Sequence, residues 1–171
     1  MVDDAIRVFS IVPDSISLAE LKAALLDAGY PISIGTGIAG EATEEELNSK
    51  DWDAAFVRWT APELHDVWLV ERETPGQEPE ADATIAEAIE RAHRISDSAG
   101  RLIVTDHLKK TRCIFVANLL PALLIDDDHP AWAALDVALR CIAEHSEGLI
   151  YALNEGFYDA EGEMLLDEAE D

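Results

Sequence analysis

The sequence predicts an α+β fold, in which an antiparallel or mixed sheet carries about three helices on one face. Three stretches with helical spacing of apolar residues begin at Ser17, Asp82 and Pro130. Between them lie short apolar or β-branched runs that are separated by turn residues. Because most of these runs follow one another as hairpins, few parallel crossover units can form, which favours α+β over α/β.

The composition limits the domain count and the kind of partner. A chain of 171 residues is typical of one domain, and we expect it to span residues 1–166, with an acidic disordered tail at 167–171. The chain has 36 acidic and 12 basic residues and a net charge of −24. This charge argues against nucleic acid or an anionic membrane as a ligand and favours a basic protein partner.

The N-terminal third predicts a strand, a helix and a second strand. Residues 6–12 are β-branched and end at a proline, as strands do. Ser17 and Glu20 have the spacing of a capping box, and the helix that they start ends at Gly29. Residues 30–34 then form a short strand. No apolar run reaches the roughly 20 residues of a membrane span, and the N-terminus lacks signal-peptide features, so we expect a cytoplasmic protein.

A glycine motif follows the second predicted strand. Residues 35–40 match GxGxxG, the pattern of dinucleotide-binding loops. Glutamates at 41 and 44–46 would repel a pyrophosphate from the helix start that should attract it. We therefore expect no cofactor here, and instead a loop with a helical turn that Thr43 and Glu46 cap.

The middle of the chain predicts a hairpin, a long helix and a second hairpin. Residues 52–60 and 67–71 are rich in aromatic and β-branched side chains, with a proline between them. Residues 82–98 carry an apolar stripe and favourable i, i+4 ion pairs, and Gly100 is expected to end this helix. The next two strands are predicted at residues 102–105 and 113–118.

The C-terminal third has the densest folding signals. Asp128 and Pro130 predict the start of an amphipathic helix, with Trp132 and Leu139 buried on its apolar stripe. Gly148 is expected to end this helix in the left-handed conformation. Three short strands follow, with a turn at Gly162 between the last two, at residues 149–153, 156–158 and 163–166.

The titratable residues give no diagnostic constellation. Residues 126–129, three aspartates and a histidine, are the nearest approach to a metal or acid–base cluster, with residues 105–107 as a companion if two strand ends meet. Acidic residues before a helix are more often caps, so we expect neither a metal site nor a catalytic site. Cys113 and Cys141 lie in apolar surroundings and are interpreted as buried free thiols.

The acidic clusters are the candidate partner-binding residues. Six of them lie in loops or at helix starts: Glu44, Glu45, Glu46, Asp126, Asp127 and Asp128. These carboxylates would form a negative face for a basic protein. The alternative is that the charge is dispersed and serves only solvation.

Two resemblances suggest a class of function. The final block, Gly-Leu-Ile-Tyr followed by Glu-Gly-Phe-Tyr-Asp-Ala-Glu-Gly-Glu, resembles the C-terminal end of small uncharacterised bacterial proteins, some of them toxin-immunity proteins. The predicted order of elements over residues 17–145 is similar to that of class I secretion chaperones. The first hypothesis is therefore a non-enzymatic immunity or inhibitor protein that covers a basic toxin. The alternatives are a secretion-type chaperone and an enzyme with an unrecognised acidic site.

Overall fold

A computed structural model describes residues 5–37 and 40–169. These ranges contain eight strands and six helices. The strands are β1 (Ala5–Ser10), β2 (Ile32–Gly35), β3 (Ala54–Trp59), β4 (His65–Glu73), β5 (Cys113–Leu119), β6 (Gly148–Ala152), β7 (Gly156–Tyr158) and β8 (Met164–Asp167). The helices are α1 (Leu18–Asp27), α2 (Glu44–Asn48), α3 (Pro79–Arg94), α4 (Ser98–Lys109), α5 (Pro121–Leu124) and α6 (Ala131–Ser146). None of these helices has the length and apolar character that a membrane span requires.

All eight strands form one antiparallel sheet, with the order β2-β3-β4-β5-β1-β6-β7-β8. The first strand of the chain lies in the middle of the sheet, where it pairs with both β5 and β6. The predicted α+β class and the antiparallel sheet are confirmed, with six helices in the described ranges instead of about three.

Helices cover both faces of the sheet, so the prediction that they pack on one face was wrong. One apolar core lies under α1 and α6 and includes Val8 and Phe115. The other lies under α3 and α4 and includes Phe9 and Ile114. Neighbouring residues of a strand point to opposite faces, so an unbroken buried run such as residues 113–117 needs a cover on each side.

The predicted start of α1 is confirmed. The backbone N–H of Glu20 donates to Ser17 Oγ at 3.1 Å, and the Ser17 N–H donates to the Glu20 carboxylate at 2.7 Å. That backbone N–H is the largest cause of a lowered pKa for Glu20. Leu21 and Leu25 are buried in the core, so one local pattern sets both the start and the apolar face of this helix.

The predicted strand at residues 102–105 is instead part of α4. Asp97 caps this helix, because its carboxylate accepts hydrogen bonds from the N–H groups of Ala99 and Gly100, each at 3.1 Å. Gly100 therefore lies in the first turn and does not end a helix. A β-carbon at this position would collide with the carbonyl oxygen of Leu165, which explains the glycine.

The end of α6 also differs from the prediction. Glu147, with φ 51° and ψ 56°, adopts the left-handed conformation that was assigned to Gly148. Gly148 is already the first residue of β6, and a β-carbon there would lie 2.5 Å from Val8 Cγ1 and 2.9 Å from Ala143 Cα. Close packing of α6 against the sheet therefore requires this glycine.

At the start of α6, His129 Nδ1 accepts the Ala131 N–H at 3.0 Å, the role that was expected of Asp128.

The prediction of a disordered tail is wrong for residues 167 and 168. Asp167 ends β8, and Arg91 donates to the Glu168 carboxylate at 2.8 Å. Tyr151 Oη donates to the same carboxylate at 2.8 Å. Ion pairing thus fixes an acidic residue that was expected to be solvated. Residues 170–171 lie outside the described ranges.

Candidate functional site

The six candidate partner-binding acids lie at two separate places. The strands β3 and β5 run in the same direction, because each is antiparallel to β4. Helix α2, with Glu44, Glu45 and Glu46, leads into the start of β3, whereas residues 126–128 follow the end of β5. The two clusters therefore lie toward opposite ends of the sheet and do not form one acidic face.

In the first cluster, one of the three glutamates serves the local fold. The Glu46 carboxylate accepts hydrogen bonds from the Thr36 hydroxyl and the Thr43 backbone N–H, and the Thr36 bond is the largest cause of its lowered pKa. The predicted cap at Thr43 is confirmed. Glu44 and Glu45 remain exposed, so this cluster offers two carboxylates to a partner.

The glycine motif beside this cluster binds an arginine of the same chain. The buried Arg58 side chain donates to the carbonyl oxygens of Gly37 and Gly40 at 2.7 and 2.5 Å, and to the Asp66 carboxylate at 2.8 Å. A β-carbon at Gly35 would collide with the Arg58 guanidinium. The motif thus presents carbonyl groups to a cation, the reverse of the N–H groups that hold a pyrophosphate. Residues 38–39 lie outside the described ranges.

In the second cluster, residues 126–128 form a turn that hydrogen bonds hold in place. The Asp126 carboxylate accepts the Asp128 N–H at 3.1 Å. The Asp126 carbonyl oxygen accepts the His129 N–H at 3.2 Å and the Trp132 indole N–H at 3.0 Å. All three aspartates are exposed, so the turn presents carboxylates in a fixed geometry.

Large apolar side chains are exposed next to this turn. Ile125 is 84% exposed, Leu124 is 45% exposed, and Leu64, in the β3–β4 loop, is 66% exposed. The two loops meet where His65 contacts His129. We call these three apolar residues, together with residues 126–128, the turn surface.

The contact between the two histidines fixes their tautomers. His65 Nδ1 lies 2.8 Å from the carbonyl oxygen of Glu63, which can only accept, so this nitrogen carries a proton. His129 Nδ1 accepts the Ala131 N–H and carries none. In the neutral rings, His129 Nε2–H therefore donates to His65 Nε2 across 3.0 Å.

This arrangement does not suit a metal ion. A metal between the two Nε2 atoms would need both of them unprotonated, and His129 then has to protonate Nδ1 and lose its bond to Ala131. Residues 105–107, which were predicted to accompany residues 126–129 in such a cluster, lie elsewhere. They belong to α4, where His107 donates to the Phe9 carbonyl oxygen. Among residues 5–37 and 40–169, no group of three or more His, Cys, Asp or Glu side chains is placed to hold a metal ion.

The contact between Cys141 and His145 lacks the features of an activated thiol. Cys141 Sγ lies 3.8 Å from His145 Nδ1, but that nitrogen donates to the Cys141 carbonyl oxygen at 2.8 Å and cannot take the thiol proton. Burial raises the pKa of Cys141 to about 11. Cys113 is also buried and free, so the interpretation of both cysteines as buried free thiols is confirmed.

An apolar groove opens beside the turn surface. It has a volume of about 310 Å³ and lies between the first half of α6 and strands β1, β6 and β7. Trp132 and Tyr158 are half-buried in its lining, and Asp136 and Glu155 add two exposed carboxylates. We call this feature the Trp132 groove. Sequence patterns could not show it, because they placed Trp132 wholly in the core.

Comparison with known proteins adds no family: no family model, curated protein or solved structure matches this chain.

Proposed function

We propose that this protein is a non-enzymatic binding protein of the immunity or inhibitor kind, which neutralises a basic partner protein, such as a toxin, by direct contact. The observation that carries the proposal is the turn surface, where Leu64 and Ile125 are exposed beside three exposed aspartates.

Exposed apolar side chains of this size favour a protein interface. Burying Ile125 or Leu64 in a complex removes apolar area from water, at about 25 cal/mol per Å². The exposed carboxylates beside them govern orientation and encounter rate more than affinity. Exposed apolar side chains next to carboxylates therefore suit a basic partner that carries its own apolar patch.

The fixed geometry of the turn supports the same role. Trp132 and His129 both bond to the Asp126 carbonyl oxygen, so the aspartates are held before any partner arrives. Less conformational entropy is then lost on binding than for a mobile acidic loop. This favours a binding role for the turn over charge that serves only solvation.

The test is affinity capture from the native host with the full-length tagged chain and two variants. The turn variant carries Ile125→Ser, Asp127→Asn and Asp128→Asn, which leave the Asp126 hydrogen bonds in place. The control carries Glu44→Gln and Glu45→Gln, which remove two exposed charges at the other end of the sheet. We expect a basic protein to be retained by the wild type and the control and lost from the turn variant. Equal retention by all three, or retention of acidic proteins only, contradicts the proposal.

A further inference from the structure

The Trp132 groove combines two kinds of group that recognise a guanidinium ion. Trp132 and Tyr158 supply aromatic rings, and Asp136 and Glu155 supply carboxylates. The remaining lining is mostly aliphatic, from Ile6, Leu135, Leu139, Ile150 and Ala152. Arginine carries a planar cation that stacks on aromatic rings and pairs with carboxylates, on an apolar stem that packs against aliphatic side chains.

We propose that the Trp132 groove binds an arginine side chain of the partner. This inference rests on the proposed function and names the chemistry of one contact within it. The volume of about 310 Å³ is near the lower limit of small-molecule sites, roughly 300 Å³, so the groove suits one long side chain and not a whole helix. The net charge of −24 favours a cation over an anion as the occupant.

Each carboxylate of the groove already has a partner within the chain, an arginine for Asp136 and a tyrosine hydroxyl for Glu155. Arg140 Nε lies 3.3 Å from Asp136 Oδ2, and the Tyr158 hydroxyl donates to Glu155 at 3.3 Å. The pKa of Tyr158 is raised, first by burial and then by Glu155. Both distances are long for such bonds, and both carboxylates are exposed, so an incoming guanidinium can compete for them.

The groove is continuous with the turn surface. The Trp132 indole N–H donates to the Asp126 carbonyl oxygen at 3.0 Å, so the ring that lines the groove also holds the acidic turn. A partner that covers the turn at residues 126–128 therefore also lies next to the groove. This continuity favours the same partner as the occupant of both.

Arginine is favoured over lysine for a geometric reason. A guanidinium presents five donors in a plane, which can pair with Asp136 and Glu155 while one face lies on an aromatic ring. An ammonium ion is more strongly hydrated and binds as a point charge, so it loses more on entering an apolar groove. We expect lysine to bind more weakly than arginine.

The test uses N-acetyl-arginine amide, the matching lysine compound and the neutral isostere N-acetyl-citrulline amide. Binding is followed through the Trp132 indole N–H signal in two-dimensional ¹H–¹⁵N spectra, which Trp132→Phe identifies by its loss. We expect millimolar affinity for the arginine compound, as its size allows, and at least about fivefold weaker binding for citrulline. Glu155→Gln should weaken arginine binding. Arg140→Gln should strengthen it, because it removes the competing guanidinium from Asp136.

Glu45→Gln, on α2, is the matched control for the loss of one charge and should leave the titration unchanged. Equal binding of citrulline and arginine, or an equal effect of Glu45→Gln and Glu155→Gln, overturns the groove proposal. Its failure is distinguishable from failure of the proposed function. Partner capture that is lost in the turn variant but insensitive to Glu155→Gln leaves the binding protein in place and removes only the arginine contact.

Discussion

The Nε2 atoms of His65 and His129 lie 3.0 Å apart and join two loops that are 64 residues apart in the chain. Backbone groups assign the protons, since the Glu63 carbonyl oxygen requires a proton on His65 Nδ1 and the Ala131 N–H requires none on His129 Nδ1. A proton added to His65 places two N–H groups face to face. A proton added to His129 Nδ1 faces the Ala131 N–H and breaks that hydrogen bond. The full chain of hydrogen bonds, from the Glu63 carbonyl oxygen to the Ala131 N–H, therefore forms only while both rings are neutral.

The first prediction follows from these tautomers. Above neutral pH, long-range ¹H–¹⁵N spectra of the imidazole rings should show His65 as the Nδ1–H form and His129 as the Nε2–H form. His93, which is exposed on α3, serves as the reference for a free ring. The same tautomer on both rings would contradict the hydrogen-bond chain.

The second prediction concerns the end of α6. Glu147 holds a conformation that costs a residue with a β-carbon about 1 kcal/mol, so Glu147→Gly should stabilise the protein by up to about that amount. Gly148→Ala should destabilise it by about 1–3 kcal/mol, because the added carbon meets Val8 and Ala143. Chemical denaturation of both variants measures the difference. Changes in unfolding free energy of the opposite signs would support the prediction from the sequence, in which Gly148 is the left-handed residue that ends the helix.

The sequence correctly predicted the helix caps that depend on residues close together in the chain. The caps at Ser17 and Thr43 were predicted because each involves residues three positions apart. The prediction of a strand at residues 102–105 was wrong. This β-branched run lies in a helix that the Asp97 side chain caps. Gly100 and Gly148 were both interpreted through backbone freedom, whereas close approach of another element is what requires them.

The candidate site was predictable only in part. The acidic turn at residues 126–128 was recognised from its charge, but its hydrogen bonds to Trp132 and the contact of His129 with His65 depend on tertiary structure. The Trp132 groove exists because α6 leaves part of β6 and β7 uncovered, and no periodicity reports that. A helical stripe shows which residues face the sheet, not how far the helix covers it.

The third prediction concerns pH and His107. Burial lowers the pKa of His107 and outweighs its hydrogen bond to the Phe9 carbonyl oxygen. The unfolded state therefore takes up the proton first, and stability should fall as pH drops below about 6.5, the ordinary value for histidine. His107→Gln, which keeps an N–H donor, should flatten the fall in unfolding free energy between pH 7.5 and 5.5. His93→Gln is the control and should not. An unchanged slope in His107→Gln contradicts the assignment.

The fourth prediction separates the two large side chains of α6. Leu139 is 7% exposed, and Leu139→Ala should cost about 2–5 kcal/mol of unfolding free energy. Trp132 was also expected to be buried, but it is half-buried, so Trp132→Ala should cost less, about 1–3 kcal/mol. Urea denaturation measures both. A larger loss for Trp132→Ala would show that its bond to Asp126 matters more than apolar burial.

The last prediction concerns association with the basic partner, once capture has identified it. Attraction between opposite charges should accelerate encounter and be screened over a Debye length of roughly 8–10 Å, so the association rate should fall steeply with salt. Asp127→Lys with Asp128→Lys should slow association and reduce its salt dependence, because these charges lie beside the apolar contact. Glu44→Lys with Glu45→Lys changes the net charge equally at the other end of the sheet and should have a smaller effect. Stopped-flow binding across a salt series measures these rates. Equal slowing by the two double reversals would mean that net charge alone steers the partner. An association rate that depends neither on salt nor on either double reversal would mean that the acidic residues serve only solvation.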